Sequence, residues 1–187
     1  VFYHLAESVI TKGGVVYGVT MSEDLRKAHF LCVSDLGQLK KIMRSKYLQA
    51  SLGDTFIKVK KQLEKGVLVL FSGIGCQISG LKAFLRKDYD NLICVDVVCH
   101  GTPSPKLWRA YVDYIENKYH AKLTDVNFRC KDDCWTDFKK KNYVDGRKTV
   151  FVSINRDPYM LMFLRDYSLR ASCYECVAKK QSKADIT

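Results

Sequence analysis

Four cysteines carry most of the chemical potential of this chain. Cys76 and Cys99 stand singly, each beside a glycine or histidine at the end of an apolar run. Cys173 and Cys176 form a Cys-x-x-Cys pair in a basic segment near the C-terminus. Thiolates ligate zinc and iron–sulfur clusters, and two sulfurs at this spacing reach one metal centre from one loop. A structural zinc ribbon ordinarily uses two such pairs. Here one pair is joined by two cysteines from separate segments, a dispersal that suits a bulky cluster wedged against a sheet edge. On spacing alone, an iron–sulfur cluster, a zinc ion and free or redox-active thiols all stay open. His100, next to Cys99, is a further candidate ligand; hydrogen bonding to nearby loop backbone is the plainer reading. A catalytic pair of Cys76 or Cys99 with His100 or His120 is disfavoured, because such partners usually come from separate segments. Cys130 and Cys134 have an unusual C-x3-C spacing and read as non-ligand thiols. Cys32 and Cys94 lie inside strand patterns and read as core residues.

Two other stretches have chemical content. Arg44-Ser45-Lys46-Tyr47 and the residues after it mix cations, hydroxyls and an aromatic without clean periodicity. Such a mix can hold a phosphate and stack on a ring, and it is equally a polar loop. Ser72-Gly73-Ile74-Gly75-Cys76-Gln77 is glycine-rich at a strand-to-helix junction, where backbone N–H groups attract anions. Ile78 stands where a dinucleotide fingerprint needs its third glycine, so the turn is read as a means of exposing Cys76.

Residues 67–105 must position the first two thiols. Val67–Phe71 is an all-apolar run, suited to a strand buried on both faces. Gly73, Gly75 and Cys76 read as a tight turn. Gln77–Arg86 has helical apolar spacing at Ile78, Leu81, Phe84 and Leu85. Asn91–Val98 reads as a second buried strand, broken at Cys99-His100-Gly101, with Pro103 and Pro105 preventing extension. A βαβ crossover leaves its strands parallel. If the two are neighbours, Cys76 and Cys99 emerge at one carboxyl edge, where open α/β sheets bind ligands.

Upstream, the pattern predicts a helix over Val1–Lys12 ended by Gly13-Gly14, and a hairpin of Val15–Met21 with Ala28–Val33. A helix capped by Ser34 or Asp35 runs to about Met43, and Asp54 caps another over Thr55–Lys65. Downstream, Ser104 caps Pro105–Tyr119, with Leu107, Ala110, Tyr111, Tyr114 and Ile115 inward. Leu123–Arg129 is a strand. Thr136–Tyr143 and Lys148–Ser153 form a hairpin turning at Asp145-Gly146. Asp157-Pro158 opens a helix to about Asp166, with Met160, Phe163 and Leu164 inward, and a loop-like basic tail follows. The fold class is α/β: a mixed sheet with a βαβ core flanked by helices, plus an antiparallel β addition. The 187 residues are read as a single domain, 1–187.

Composition narrows the partners. With 31 Lys plus Arg against 20 Asp plus Glu, the net charge of +11 favours anionic ligands or an acidic protein. The cations fall in short clusters, such as Lys139-Lys140-Lys141, without interleaved aromatics, and read as a solvated basic surface; nucleic acid is not expected as a partner. No apolar run of about 18 residues is present, so no membrane span or membrane partner is expected. The start lacks the features of a signal peptide, and the eight cysteines fit reduced thiols in the cytoplasm better than a disulfide scaffold. The chain opens on a helix already under way and stops as β-type residues begin, which reads as an internal piece of a longer protein.

These residues resemble the coenzyme F-420 hydrogenase/dehydrogenase beta-subunit family (FrhB/FdhB), and most of all its bacterial members fused to ferredoxin domains. The similar segments are GGVVYG at 13–18, RSKYLQASLGDTF at 44–56, LVLFSGIGCQISGLKAFL at 68–85, DYDNLICVDVVCHGTPSP at 88–105, VNFR at 126–129, DPYMLMFL at 157–164 and LRASCYECVAKKQSKADIT at 169–187. The resemblance implies an iron–sulfur flavoprotein oxidoreductase. Cys76, Cys99, Cys173 and Cys176 fall on positions expected to ligate one 4Fe-4S cluster. Ser45, Lys46 and Tyr47, with Arg44, fall where FAD is expected, and Gly13 and Gly14 belong to the start of the adjoining strand. It further implies a ferredoxin-like domain or redox subunit as electron donor, and a deazaflavin such as coenzyme F-420, or another small hydride acceptor, as partner. The family's usual G-T-P-C-Q is Gly73-Ile74-Gly75-Cys76-Gln77 here, and its R-P-S-C-Y is Arg170-Ala171-Ser172-Cys173-Tyr174, changes expected to cost backbone rigidity near the cluster. The alternative is a zinc- or cluster-stabilised, non-enzymatic interaction module built on the same four cysteines.

Overall fold

A continuous apolar run with alternating side-chain directions must be covered on both faces, and that requirement organises the chain. The computed structural model describes residues 1–130, 139–145 and 147–187. Strands β1 (Val15–Met21), β2 (Ala28–Val33), β3 (Ala50–Ser51), β4 (Val69–Gly73) and β5 (Leu92–Asp96) form one mixed sheet in the order β3-β2-β1-β4-β5. β1 and β2 pair antiparallel as the expected hairpin. β1 with β4, β4 with β5 and β2 with β3 are parallel.

Along β4, Val69 and Phe71 enter one buried cluster while Leu70 enters another on the opposite face. β1 divides in the same way at Tyr17 and Val16. Helix α1 (Phe2–Thr11) and the short α2 (Leu39–Ile42) cover the Leu70 face with Ala6, Val9, Leu39 and Ile42. Helices α3 (Thr55–Glu64) and α4 (Gly75–Leu85) cover the Phe71 face with Val59, Leu63, Ile78 and Leu81. Gly14 permits the close join of α1, β1 and β4: a Cβ there would lie 2.6 Å from the Leu68 carbonyl oxygen and 2.7 Å from Val9.

Several boundaries differ from the sequence expectation. β4 begins two residues later than predicted, and β5 stops at Asp96, leaving Val97 and Val98 exposed in the following loop. Asp35 caps a 3-10 turn, Leu36–Gln38, before α2. Asp54 occupies the position before α3 but turns its carboxylate to Lys58, 3.0 Å away, and makes no cap hydrogen bond. Phe84 stays 41% exposed, outside the buried stripe of α4.

Helix α5 (Pro105–Tyr119) starts at Ser104 with Pro105 in its first turn, as expected. Its buried stripe is Trp108, Tyr111, Val112 and Ile115; Leu107 is half-buried and Ala110 and Tyr114 are exposed. The stripe turns this way because the Trp108 indole is drawn inward, donating to the Leu25 carbonyl at 2.6 Å. Strands β6 (Leu123–Cys130), β7 (Lys139–Val144) and β8 (Arg147–Ser153) form a separate antiparallel sheet. Residues 136–138 of the predicted hairpin, its Gly146 and Cys134 lie outside the described residues. Helix α6 (Pro158–Leu164) follows, capped by Asp157, which accepts from the Met160 N–H at 2.9 Å. Tyr159, Met160 and Phe163 are buried there, whereas Leu164 is exposed. Among the described residues, no helix is long and apolar enough to cross a membrane.

The main departure from a solvated basic surface is Lys140. Its side chain is wholly buried, with Nζ 3.3 Å from the nearer Asp157 oxygen and 3.6 Å from the centre of the Tyr111 ring. Trp108, Phe128 and Tyr159 complete an aromatic box around it. Tyr111 donates its hydroxyl to the same carboxylate at 2.5 Å, and Asn142 donates to that hydroxyl at 3.0 Å. Burial lowers the pKa of Lys140, and Asp157 opposes the shift. A buried ammonium is tolerated only while paired, so this network joins the three-stranded sheet to α5 and α6. Lys140→Met is expected to cost about 3–5 kcal/mol in urea denaturation, because it strands the Asp157 charge. Adding Asp157→Ser, which keeps a helix cap, recovers part of that loss. A single variant within about 1 kcal/mol of wild type would show that the pair does not hold the layers together.

Candidate functional site

The carboxyl ends of β4 and β5 lie side by side, with Ser72 opposite Val95 and Gly73 opposite Asp96. The chain leaves both strands at this edge. After β4 it enters α4 almost at once. Ile74 is extended and gives its N–H to Oε1 of Gln77 at 3.1 Å, which fixes the start of the helix. Gly75 and Cys76 therefore sit in the first turn of α4 and not in a separate tight turn. Gly75 fits because a Cβ there would come within 3.0 Å of the Ala178 Cβ and 3.3 Å of Asp96 Oδ2. Glycine at position 75 thus lets the C-terminal segment pack against the residue before Cys76.

That segment, read as loop-like, carries two short helical pieces. Helix α7 (Ala171–Tyr174) contains Cys173, and Cys176 leads into a 3-10 turn, Val177–Lys179. Its backbone is tied back to the sheet edge. Arg170 N–H donates to the Thr102 carbonyl at 3.1 Å and Asp96 N–H to Ile186 at 2.7 Å; Asp185 accepts from the Cys94 N–H at 2.7 Å. Ser182 donates to Asp96 Oδ2 at 2.8 Å.

The four predicted cysteines consequently border one cleft of about 650 Å³, together with Asp96, Thr102 and Arg170. The Thr102 hydroxyl lies 3.5 Å from Cys173 Sγ. Burial pushes the Cys99 thiol up to about 11, and the nearby Cys76, Cys173 and Cys176 push in the same direction. Cys76 is also raised, by burial first and then by Cys176 and Cys173. A second thiolate is unwelcome beside a first, so this donor set calls for positive charge at its centre. A metal reverses the preference and holds each sulfur ionised. Among the described residues, no three His, Cys, Asp or Glu side chains converge closely enough to hold a single metal ion. Cys94 is buried in the core, Cys32 is half-buried and packs against it, and Cys130 is buried at the end of β6.

A second cleft, of about 340 Å³, opens on the other side of the Cys99 loop. Arg44, Ser45, Lys46 and Tyr47 line one wall; Cys99, His100, Arg129 and Phe163 contribute to the others. The Tyr47 ring stacks on Phe163 with centroids 5.1 Å apart, and its carbonyl accepts the Tyr159 hydroxyl at 2.5 Å. Lys46 gives its ammonium to the Met43 carbonyl. Burial lowers Lys46 to about 8, with Arg44 adding to the fall and Asp125 opposing it. His100 does not bond loop backbone as expected. Its Nε2 meets Asp166 Oδ1 at 2.7 Å, and its ring lies edge-on to Phe163.

Ile74, Val98, Cys99, Gly101 and Thr102 border both clefts, so the thiol site and the Tyr47 site share a wall. Gly13 and Gly14 do not join them. They lie between α1 and the amino end of β1, across the sheet from this edge, where Gly14 serves packing. Phe163 and Asp166 were not anticipated as site residues. The helical pattern around Phe163 signalled only burial, and Asp166 lies past the end of α6 with no motif around it.

No curated protein matches the sequence. Among solved structures, the fold is similar to a chain of the F420-reducing [NiFe] hydrogenase complex from Methanosarcina barkeri. The TM-score is 0.61 at 12% identity, covering 95% of this chain and 59% of that one. Residues 67–187, which contain all four clustered cysteines, match the family model for the C terminus of the coenzyme F420 hydrogenase/dehydrogenase beta subunit. The chain belongs to that family.

Proposed function

We propose that the chain is an iron–sulfur flavoprotein oxidoreductase. Cys76, Cys99, Cys173 and Cys176 would hold one 4Fe-4S cluster, and FAD would sit in the cleft between Tyr47 and the Cys99 loop. The observation that carries this reading is the shared wall: Cys99 belongs to both clefts. Electrons leaving a cluster on these thiolates would have one loop to cross. A flavin exchanges single electrons on one side and a hydride on the other.

The residues present suit those groups. The four thiols border one cleft, and thiolates are the ligands of iron–sulfur clusters. Tyr47 and Phe163 offer aromatic surface for a flat ring. Arg44 and Lys46 offer positive charge for phosphates. His100, held by Asp166, lines the same cleft. The hydride acceptor would be coenzyme F420 or another small molecule of that kind, as the family description and the name of the similar complex suggest. The donor would be a ferredoxin-like domain or redox subunit, and the net charge of +11 favours an acidic one.

Anaerobically purified and reconstituted protein is expected to contain about four iron and four acid-labile sulfide per chain, with one flavin. Replacing any of the four cysteines by alanine removes most of the iron and sulfide. Stoichiometric zinc without sulfide would instead support a zinc-stabilised interaction module. Flavin binding also depends on pH. Lys46 is charged below about 8 and neutral above it, so affinity for the anionic cofactor falls as pH rises through that value. Lys46→Met weakens binding about tenfold and flattens the profile. An unchanged wild-type affinity between pH 7 and 9 would contradict the assignment of Lys46.

A further inference from the structure

Helix α6 ends on a residue that its backbone does not favour. The Tyr167 N–H donates to the Met162 carbonyl at 3.0 Å, and the Asp166 N–H to the Phe163 carbonyl at 3.2 Å. These paired bonds close a helix through one left-handed residue. That residue is Asp166, with φ 63°. Glycine takes this conformation freely, whereas any other residue brings its Cβ close to a carbonyl oxygen. Glycine would stop the helix at lower cost, so the carboxylate is explained by what it holds and not by the turn.

Asp166 reaches in three directions. Its Oδ1 accepts from Nε2 of His100 at 2.7 Å, in the loop whose Cys99 borders both clefts. Its carbonyl accepts the hydroxyl of Tyr174, the neighbour of Cys173 on α7. Its N–H is tied to Phe163, whose ring stacks on Tyr47 across the 340 Å³ cleft and meets His100 edge-on. One residue thus joins the shared wall, the tail that carries two of the thiols, and the aromatic side of the Tyr47 cleft. The His100 and Asp166 side chains are both about half-exposed, so their bond alone holds the loop weakly. A group filling either cleft would order the loop, and a second group would then meet a wall already ordered.

We infer that Asp166 is a positioning residue that couples the two clefts, so that a cluster on the four thiols tightens flavin binding beside Tyr47. This rests on the cofactor reading above. Asp166 touches neither cofactor in this account. It acts through His100, Tyr174 and Phe163, and by linkage a bound flavin tightens the hold on the cluster by the same factor.

The test is equilibrium dialysis of FAD under argon against the cluster-free and the cluster-loaded chain, for wild type, Asp166→Gly and Asp166→Asn. Loaded wild type is expected to bind FAD about tenfold tighter than the cluster-free form. Asp166→Gly keeps the carbonyl and relaxes the left-handed backbone, so the cluster-free variant melts at or above wild type. Its ratio of affinities nevertheless falls to within about twofold. Asp166→Asn keeps an oxygen for His100 and tolerates the left-handed conformation, and it retains most of the ratio. A wild-type ratio within about twofold, or the full ratio persisting in Asp166→Gly, would overturn the coupling while leaving both cofactors in place. Binding of no FAD in either form would remove the flavin reading and the coupling together.

Discussion

The candidate site depends first on the backbone of residues 169–187 being hydrogen-bonded to the sheet edge. Cys173 and Cys176 are remote in sequence from Cys76 and Cys99, and closing such a loop has an entropic cost. The cost is offset by an antiparallel bridge of Leu169 with Pro103, a parallel bridge of Ile186 with Val95, and the Asp185 carboxylate on the Cys94 N–H. Each bond contributes about 1 kcal/mol net. Their placement matters more than their sum, because they flank the cysteine pair on both sides. Two glycines make the approach possible. Gly75 leaves room for Ala178, and a Cβ at Gly101 would come within 2.6 Å of Leu169. The tail and the sheet edge therefore form one cradle, in which the raised pKa values of Cys76 and Cys99 favour the neutral thiols until a cationic centre holds them ionised.

A second constraint acts from the other side of the site. The Lys140–Asp157 pair fixes the start of α6 against the three-stranded sheet. From there α6 carries Phe163 to Tyr47, and Asp166 lies just beyond its end, against His100. Tyr174, next to Cys173, gives its hydroxyl to the Asp166 carbonyl. A buried charge pair is a poor source of net stability. Its use here is positional: it sets where α6 places Phe163, on one wall of the Tyr47 cleft, and Asp166, behind His100.

Much of this is legible in the sequence, and the parts that are not have physical reasons. The βαβ unit shows itself because runs buried on both faces are continuously apolar, and its punctuation places Cys76 and Cys99 at strand ends. The hairpin β1–β2 and the Ser104 and Asp157 caps follow from short-range rules. Lys140 reads as surface because lysine is rarely buried, and the aromatic box that accommodates it comes from three separate segments, α5, β6 and α6. The start of α4 is expected too late because glycine at positions 73 and 75 suggests a turn, whereas Gln77 and the packing of Ala178 hold those residues at a helix start. The bridges of the tail involve single residues, which leave no periodic trace. Gly13 and Gly14 group with the cofactor site by motif; the topology puts them at the opposite edge.

The central claim is that four thiolates from the sheet edge and the tail hold one iron–sulfur cluster against a flavin cleft. Anomalous diffraction at the iron edge, from anaerobically grown crystals of the reconstituted protein, tests it most directly. The account predicts one compact iron peak in the cleft bordered by Cys76, Cys99, Cys173 and Cys176, bonded to all four sulfurs. A zinc-edge peak in that cleft, or iron bound without these residues, would contradict it.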